Sequence, residues 1–356
     1  MKSNWIRFLA GVIASAVLVG AFALTGGMKN GKRTDGLLYQ ASGLHPDGEL
    51  LLIDGQTVTA EEYLYWLAQD CDYLAGQVEG LDWDAAVTED MTFGAYAKAD
   101  ALEAVKQHAV VRAWAEEAGI GLTDADKAEL EAQRQQYVTY YGSEESFLQR
   151  LAVMGVSEAA WDMIQTGQYL YRNLYEAFCT PGSGLYPDEA SLADYAAAQG
   201  YMSVYAVTVT DDDDAAGVAA DLLARWQAAE DKEGEYAAIC EELGQEVGSA
   251  VTLAAVTLAA VEDDPLSDAI AALEEGGMDA VIDPYEDGTC YVVMRTETDM
   301  SAVAQTYFDV LWEQRVQDAV VVVNTKLYDT IDTGAFYEKL TQLRAALEAE
   351  SGDTTG

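Results

Sequence analysis

The hydrophobic positions of this chain recur with two different periods. In most of the sequence, apolar residues repeat at intervals of three and four, which predicts amphipathic helices. These segments lie at about 59–74, 94–118, 123–141, 144–151, 157–178, 301–323 and 328–347. The first of them starts with Thr59 and Glu62 at the spacing of a capping box. The pattern therefore predicts a mainly helical chain.

The pattern changes between residues 200 and 299. Residues 201–210, 247–261 and 289–295 are rich in β-branched side chains and predict strands. A helical pattern at 188–199 precedes the first strand, and others lie between the strands, at 215–229, 235–243 and 265–275. The order of strands and helices predicts a small α+β module in which helices cover one sheet. Proline and glycine at 181–184 mark the clearest internal boundary.

An apolar segment without charge, Phe8 to Leu24, follows a short basic start. Its length is at the short end of the roughly 17–25 residues of a membrane-spanning helix, and Ala21-Phe22-Ala23 also fits a signal-peptidase site. Residues 1–25 are therefore predicted to be a signal peptide or a signal-anchor helix, followed by a polar linker over 26–48. We expect an extracytoplasmic body, held at the cell membrane by a single pass or secreted if the segment is cleaved.

The charge balance is strongly acidic, with 19 basic against 62 acidic residues and a net charge of -43. Such a surface repels the phosphates of nucleic acids and of anionic lipids, so neither is predicted as a partner of the body. The same charge favours solubility, and it would attract the basic segments of unfolded polypeptides. A solvated surface is the simpler interpretation.

Few residues carry catalytic or metal-binding chemistry. The four cysteines lie far apart without a CxxC pair, and the sequence does not determine whether any of them form disulfides. Of the two histidines, His45 falls in the predicted linker and His108 in a helical pattern. The acidic run at 211–214 lacks the spacing of a calcium-binding loop. No cofactor and no metal are predicted.

Two segments resemble the SurA/PrsA family of exported foldases, in which a helical chaperone domain encloses a parvulin-type peptidyl-prolyl isomerase domain. Residues 52–63 are similar to the start of that family's helical domain, and residues 141–161 are similar to one of its helix–turn–helix segments. The resemblance implies a SurA-like helical domain at 49–180 and a parvulin-like domain at 200–299. It also implies C-terminal helices, at 300–350, that pack on the N-terminal domain.

The chain departs from that family at the positions that line the isomerase pocket. The two histidine positions of the family fall on Tyr205 or Ala206 and on Cys290 or Tyr291, and its pocket phenylalanine falls on Leu266. Isomerisation requires an apolar cup for the proline ring and a polar floor for the twisted amide, whose rotation barrier is roughly 20 kcal/mol. Tyr205, Leu266 and Tyr291 are therefore candidates for a degenerate pocket with weak or absent catalysis. For the two tyrosines, packing on the core of the sheet is the simpler interpretation.

These observations leave three functions open. The leading hypothesis is an extracytoplasmic chaperone or foldase that binds unfolded or newly exported polypeptides. Tyr63, Trp66 and Tyr169 are its candidate peptide-binding residues, because amphipathic rings contact extended chains adaptably. The alternatives are a non-catalytic scaffold of the cell envelope that reuses the fold, and an active parvulin-type isomerase with an atypical site. The sequence leaves open whether the protein is an enzyme.

Overall fold

The computed structural model describes residues 28–210, 214–254 and 264–352. The described residues divide into two compact units. The helical unit comprises residues up to Glu176 and from Leu311 onward, and the α/β unit comprises Ala177–Val310. The predicted fold class, mainly α with a small α+β module, is confirmed. No helix in the described ranges has the length and apolar character needed to cross a membrane, and the apolar segment at 8–24 lies outside those ranges.

Both units are built from helices and short strands. The first part of the chain contains α1 (Leu37–Ser42), β1 (Glu49–Ile53), β2 (Gln56–Thr59), α2 (Ala60–Gln77), β3 (Ala86–Thr88), β4 (Met91–Thr92), α3 (Phe93–Ala118), α4 (Asp124–Tyr141), α5 (Glu144–Met154) and α6 (Glu158–Cys179). The middle part contains α7 (Glu189–Gln199), β5 (Met202–Thr210), α8 (Ala215–Ala228), α9 (Lys232–Glu242), β6 (Val251–Leu253), α10 (Pro265–Ala272), β7 (Met278–Val281) and β8 (Thr289–Thr296). The last part contains α11 (Met300–Asp318), β9 (Val321–Val323), α12 (Thr325–Tyr328) and α13 (Thr333–Gly352).

A three-stranded antiparallel sheet joins the two ends of the helical unit. Its order is β2-β1-β9, and Leu51 pairs with Val323 while Ile53 pairs with Val321. Leu51 and Ile53 are completely buried. The predicted helix over 301–323 was therefore wrong at its end, since helix α11 stops at Asp318. Three consecutive valines favour a strand once an edge of β1 is available for pairing.

Helices α2, α3 and α13 form the main core of the helical unit. Leu64, Leu67, Val105 and Leu340 contribute completely buried side chains to this core. Helix α13 packs against α1, α3 and α5, so the C-terminal helix closes a core that begins near residue 37.

The prediction of a plain polar linker over 26–48 was wrong for its described part. Helix α1 buries Leu37 and Leu38 in the main core of the helical unit. Leu38 lies against Gly155 at the end of α5, where a Cβ would be 2.7 Å from the Leu38 Cγ. Because Gly155 also has φ of +87°, both the backbone conformation and the contact require glycine there.

The α/β unit contains a four-stranded antiparallel sheet in the order β6-β5-β8-β7. Strands β5 and β8 pair from Ser203 opposite Thr296 to Thr210 opposite Thr289. One face of the sheet packs against α8 and α9, and the other packs against α10. The predicted strands at 201–210 and 289–295 are confirmed as β5 and β8, whereas β7 was not predicted.

A separate small core lies between α7 and the first turns of α11. Leu192 and Ala196 of α7 pack against Val303 and Ala304 of α11. The rings of Tyr195 and Tyr307 stack beside them with centroids 4.3 Å apart. The small side chains of α7 in this region leave open space next to the end of β8.

Candidate functional site

The three pocket candidates of the α/β unit lie on two different faces of its sheet. Tyr205 on β5 packs on Tyr236 of α9, with ring centroids 4.5 Å apart. Leu266 of α10 and Tyr291 of β8 pack with Ile270 on the opposite face. The prediction of one pocket lined by all three was therefore wrong. The reason is the strand register: Tyr291 pairs with Thr208, so it points to the face opposite Tyr205.

Leu266 and Tyr291 belong to a partly exposed surface that we name the Tyr285 ledge. It consists of Leu266, Tyr285 and Tyr291. The rings of Tyr285 and Tyr291 meet edge to face at 6.1 Å, and Tyr285 is 46% exposed.

The Tyr285 hydroxyl of this ledge donates a hydrogen bond to a neighbouring carboxylate. Tyr285 donates to Asp264 Oδ1 at 2.7 Å, and Asp264 also accepts from the backbone N–H of Ser267 at the start of α10. The hydrogen bond from the Ser267 hydroxyl, followed by the one from Tyr285, lowers the pKa of Asp264, and the bond to Asp264 raises the pKa of Tyr285 to about 12. Neither group is poised for proton transfer near neutral pH.

Imidazole chemistry is absent from the α/β unit, because both histidines of the chain belong to the helical unit. His45 Nδ1 lies 3.0 Å from the carbonyl oxygen of Arg33, and burial lowers the pKa of His108 to about 4. Within the described residues, no group of three histidine, cysteine, aspartate or glutamate side chains is placed to hold a metal. Cys71, Cys240 and Cys290 are buried free thiols.

The three peptide-binding candidates of the helical unit have different surroundings. Tyr63 is completely buried, and its hydroxyl donates to the carbonyl oxygen of Lys98 at 3.0 Å. Trp66 is half-buried against the His108 ring at 5.1 Å, and Tyr169 lies under the Arg172 guanidinium at 4.7 Å. The prediction that Tyr63 contacts peptide was therefore wrong, because its helical position faces the core. Trp66 and Tyr169 are both partly exposed residues.

A crevice with exposed aromatic surface lies between α4 and α6, and we name it the α4–α6 crevice. Its volume is about 330 Å³. Its walls include Leu130, Arg134, Tyr137, Trp161, Asp162 and Gln165. The ring centroids of Tyr137 and Trp161 are 5.7 Å apart, and Phe147 packs behind them from α5. The sequence pattern assigned Trp161 only to a helix face, because the two helices are not neighbours in sequence.

Near the start of α4, hydrogen bonds rather than apolar contacts hold the two walls of the crevice together. In α4, all of which the structure describes, Asp126 is the one buried residue. It completes a capping box with Thr123 and accepts hydrogen bonds from Asn173 and Arg172 of α6. These bonds, the one from Asn173 above all, hold the pKa of Asp126 well below its usual range.

At the other end of the crevice, a cluster of ion pairs joins α4 to α6. Arg134 of α4 donates to Glu158 of α6 at 2.9 Å and also pairs with Glu144 of α5. Desolvation raises the pKa of Asp162 on the α6 wall. The crevice thus presents two aromatic rings between charges of both signs.

A pair of carboxyl groups between α2 and α3 is a feature that the sequence analysis missed. Asp70 and Asp100 share a hydrogen bond, and burial together with the neighbouring Asp100 raises the pKa of Asp70 from its usual 3.8 to about 8. A carboxyl with this pKa keeps its proton at neutral pH, as expected for one of two neighbouring carboxyls. The sequence did contain one indication of this pair. Asp70 falls seven residues after Tyr63, which places it on the inner face of α2.

Replacing Asp70 by asparagine is expected to stabilise the protein at pH 8 by about 1–2 kcal/mol. The folded state keeps a proton on Asp70 that the unfolded chain releases above about pH 4, so the native protein loses stability as the pH rises from 4 towards 8. Asparagine does not ionise, so its stability does not depend on pH in this way, and its side-chain amide can still donate to Asp100. Urea unfolding at pH 4, 6 and 8 measures the effect, which should vanish at pH 4. A variant less stable than the native protein at pH 8 would refute the proton held by Asp70.

Comparisons with known proteins give a limited result. No family model matches the chain, and no curated protein matches it. Among solved structures, the foldase protein PrsA from Streptococcus pneumoniae str. Canada MDR_19A is 12% identical and aligns over 81% of this chain and 91% of its own, with a TM-score of 0.25. PrsA from Lactococcus lactis is 18% identical over 83% and 92%, and PrsA from Bacillus subtilis is 14% identical over 73% and 92%, each with a TM-score of 0.25.

Proposed function

We propose that the protein is an extracytoplasmic chaperone that binds unfolded polypeptides in the α4–α6 crevice, with little or no prolyl isomerisation by its α/β unit. The observation that carries this proposal is the crevice, which offers aromatic surface and charges of both signs without a catalytic arrangement. The sequence resemblance of residues 52–63 and 141–161 to exported foldases agrees with it. The apolar segment at 8–24 would place the chain outside the cytoplasm.

Binding in the crevice would be weak and tolerant of sequence. A volume of about 330 Å³ accommodates one large side chain rather than a folded surface, so affinity would come from repeated short contacts. The rings of Tyr137 and Trp161 supply apolar area at a low cost in conformational entropy. The net charge of -43 would draw basic clients towards the protein before they contact the crevice.

The α/β unit supports peptide contact better than catalysis. The Tyr285 ledge offers apolar surface, but the hydroxyl of Tyr285 already donates to Asp264. Tyr205 lies on the opposite face of the sheet and cannot contribute to the same floor. Without a free polar floor, the ledge does not stabilise a twisted amide, so we expect isomerisation at the uncatalysed rate.

Replacing Tyr137 by alanine is expected to weaken binding of a permanently unfolded, reduced and alkylated client by about fivefold or more, because one aromatic wall is lost. Fluorescence anisotropy of the labelled client measures the dissociation constant. The matched control is Tyr140→Ala on the same helix, since Tyr140 is 81% exposed and does not line the crevice. Equal affinities of the native protein and a folded Tyr137→Ala variant would place the client elsewhere.

A further inference from the structure

Arg295 is exceptional among the arginines of this acidic protein. Within the described ranges, seven arginines form ion pairs with carboxylates: Arg33, Arg112, Arg134, Arg172, Arg225, Arg315 and Arg344. Among the described residues, Arg150 forms no ion pair but is exposed to solvent, whereas Arg295 is half-buried and has no carboxylate partner. With 62 acidic residues in the chain, the missing partner does not reflect a shortage of carboxylates.

The backbone of Arg295 is fixed at the end of β8. Its N–H donates to the carbonyl oxygen of Gly277 at 2.9 Å, and its carbonyl oxygen accepts from Gly276 at 2.8 Å. Its Nη1 donates to the carbonyl oxygen of Leu273 at 2.6 Å, while Nε is buried without an acceptor. A buried donor of a charged group without a partner is costly, so the site is incomplete as it stands.

A cavity of about 470 Å³ lies beside this guanidinium, and we name it the Arg295 cavity. Its walls include Ala193, Ala196, Ala197, Tyr201, Arg295 and Thr298. None of the described residues that line it carries a carboxylate. The nearby Asp299 is already engaged, because it accepts from the N–H and the hydroxyl of Ser301 at 2.9 and 2.6 Å. The alanine side chains of α7 leave room for a ligand of the size that protein pockets commonly hold.

We propose that the Arg295 cavity binds a carboxylate of a client polypeptide, with the guanidinium as the cation and the alanine wall against an adjacent apolar side chain. A guanidinium binds a carboxylate through charge-assisted hydrogen bonds, which a single arginine can supply. The carboxylate belongs to the C-terminus of a chain or to an aspartate or glutamate side chain. This inference rests on the proposed function, because it assumes that polypeptides are the ligands.

The test uses three fluorescent peptides of one apolar sequence and the full-length protein at about 0.15 M salt, where long-range attraction is largely screened. The first has a free C-terminal carboxylate, the second is amidated, and the third is amidated but carries one internal glutamate. We expect the first peptide to bind about tenfold or more tightly than the second, since hydrogen bonds to a charged group are lost on amidation. Tight binding of the third peptide would identify side-chain carboxylates as a source.

Arg295→Gln should remove the preference for the free carboxylate. The control Arg225→Gln removes the same charge from the same unit but at an exposed cluster with Glu235 and Glu242, and it should leave the preference intact. Ala197→Phe, which fills the cavity from the exposed side of α7 and leaves Arg295 in place, should also abolish it. Thermal unfolding of each variant confirms that the unit is folded.

The outcomes separate this inference from the proposed function. Equal binding of all three peptides by the native protein would overturn the Arg295 site. So would an unchanged preference in folded Arg295→Gln and Ala197→Phe variants. Either result could occur in a protein that still suppresses the aggregation of unfolded clients, and the chaperone proposal would then stand alone.

Discussion

Replacing Arg112 by methionine is expected to destabilise the helical unit by about 3–5 kcal/mol. Arg112 Nη1 donates to Oε1 of Glu62 at 2.8 Å, and the Glu62 side chain is 1% exposed. The substitution leaves an ionised carboxylate buried without its cation, which is among the most costly defects of a protein interior. Urea unfolding at neutral pH, followed by circular dichroism, measures the change.

The sign of the pKa shift explains why the pair itself adds little stability. Burial outweighs the attraction of Arg112 and raises the pKa of Glu62 above its usual 4.5. The folded state therefore binds the Glu62 proton more readily than the unfolded chain, and its stability falls as the pH rises through this range. We expect the defect in Arg112→Met to shrink in acid and the double variant Glu62→Leu/Arg112→Met to recover most of the loss.

A control variant at an exposed ion pair sets the scale for this expectation. Lys127→Met removes an exposed pair with Asp124 and should change the free energy of unfolding by less than about 1 kcal/mol. If Arg112→Met has an equally small effect, the burial of Glu62 and the resulting role of Arg112 are wrong.

The second large effect is expected in the α/β unit, where Trp226→Ala should cost about 3–5 kcal/mol. Trp226 is completely buried, its ring stacks on Tyr236 at 5.6 Å, and its Nε1 donates to the carbonyl oxygen of Lys232 at 2.8 Å. Lys232 Nζ in turn donates to the carbonyl oxygens of Trp226 and Ala229. The tryptophan thus fills the core beneath the sheet and also fixes the turn between α8 and α9.

A conservative variant separates these two contributions. Trp226→Phe keeps most of the apolar volume but loses the indole N–H, so we expect a smaller cost of about 1–2 kcal/mol. Near-ultraviolet circular dichroism during urea unfolding measures both variants. If Trp226→Ala unfolds at the same denaturant concentration as the native protein, the described core of the α/β unit is incorrect.

Local signals in the sequence predicted most of the individual elements. The helices from α2 to α6 follow from apolar periodicity and capping residues, and β5 follows from its alternating β-branched residues. Elements that depend on distant partners were missed. Strand β9 forms because it pairs with β1 from the other end of the chain, and α1 forms because α5 and α13 cover its leucines. Neither cause is visible within a window of neighbouring residues.

The candidate site residues likewise divide into those that local sequence signals predict and those that depend on the tertiary structure. Leu266 and Tyr291 do lie together, but the strand register that separates them from Tyr205 could not be derived from the sequence. Tyr63 was chosen as a surface aromatic, although its spacing on α2 is equally that of a core residue. The Arg295 cavity depends on a charge that remains unpaired after folding, which only the tertiary structure reveals.

The most direct test of the chaperone account is suppression of aggregation by the purified protein. Light scattering of a thermally unfolding client is recorded with the protein at an equal molar amount, for one basic and one acidic client. The account predicts suppression of aggregation for both clients, with stronger protection of the basic one because of the net charge of -43. Failure to protect either client at this ratio would contradict the account and favour a non-catalytic scaffold of the cell envelope.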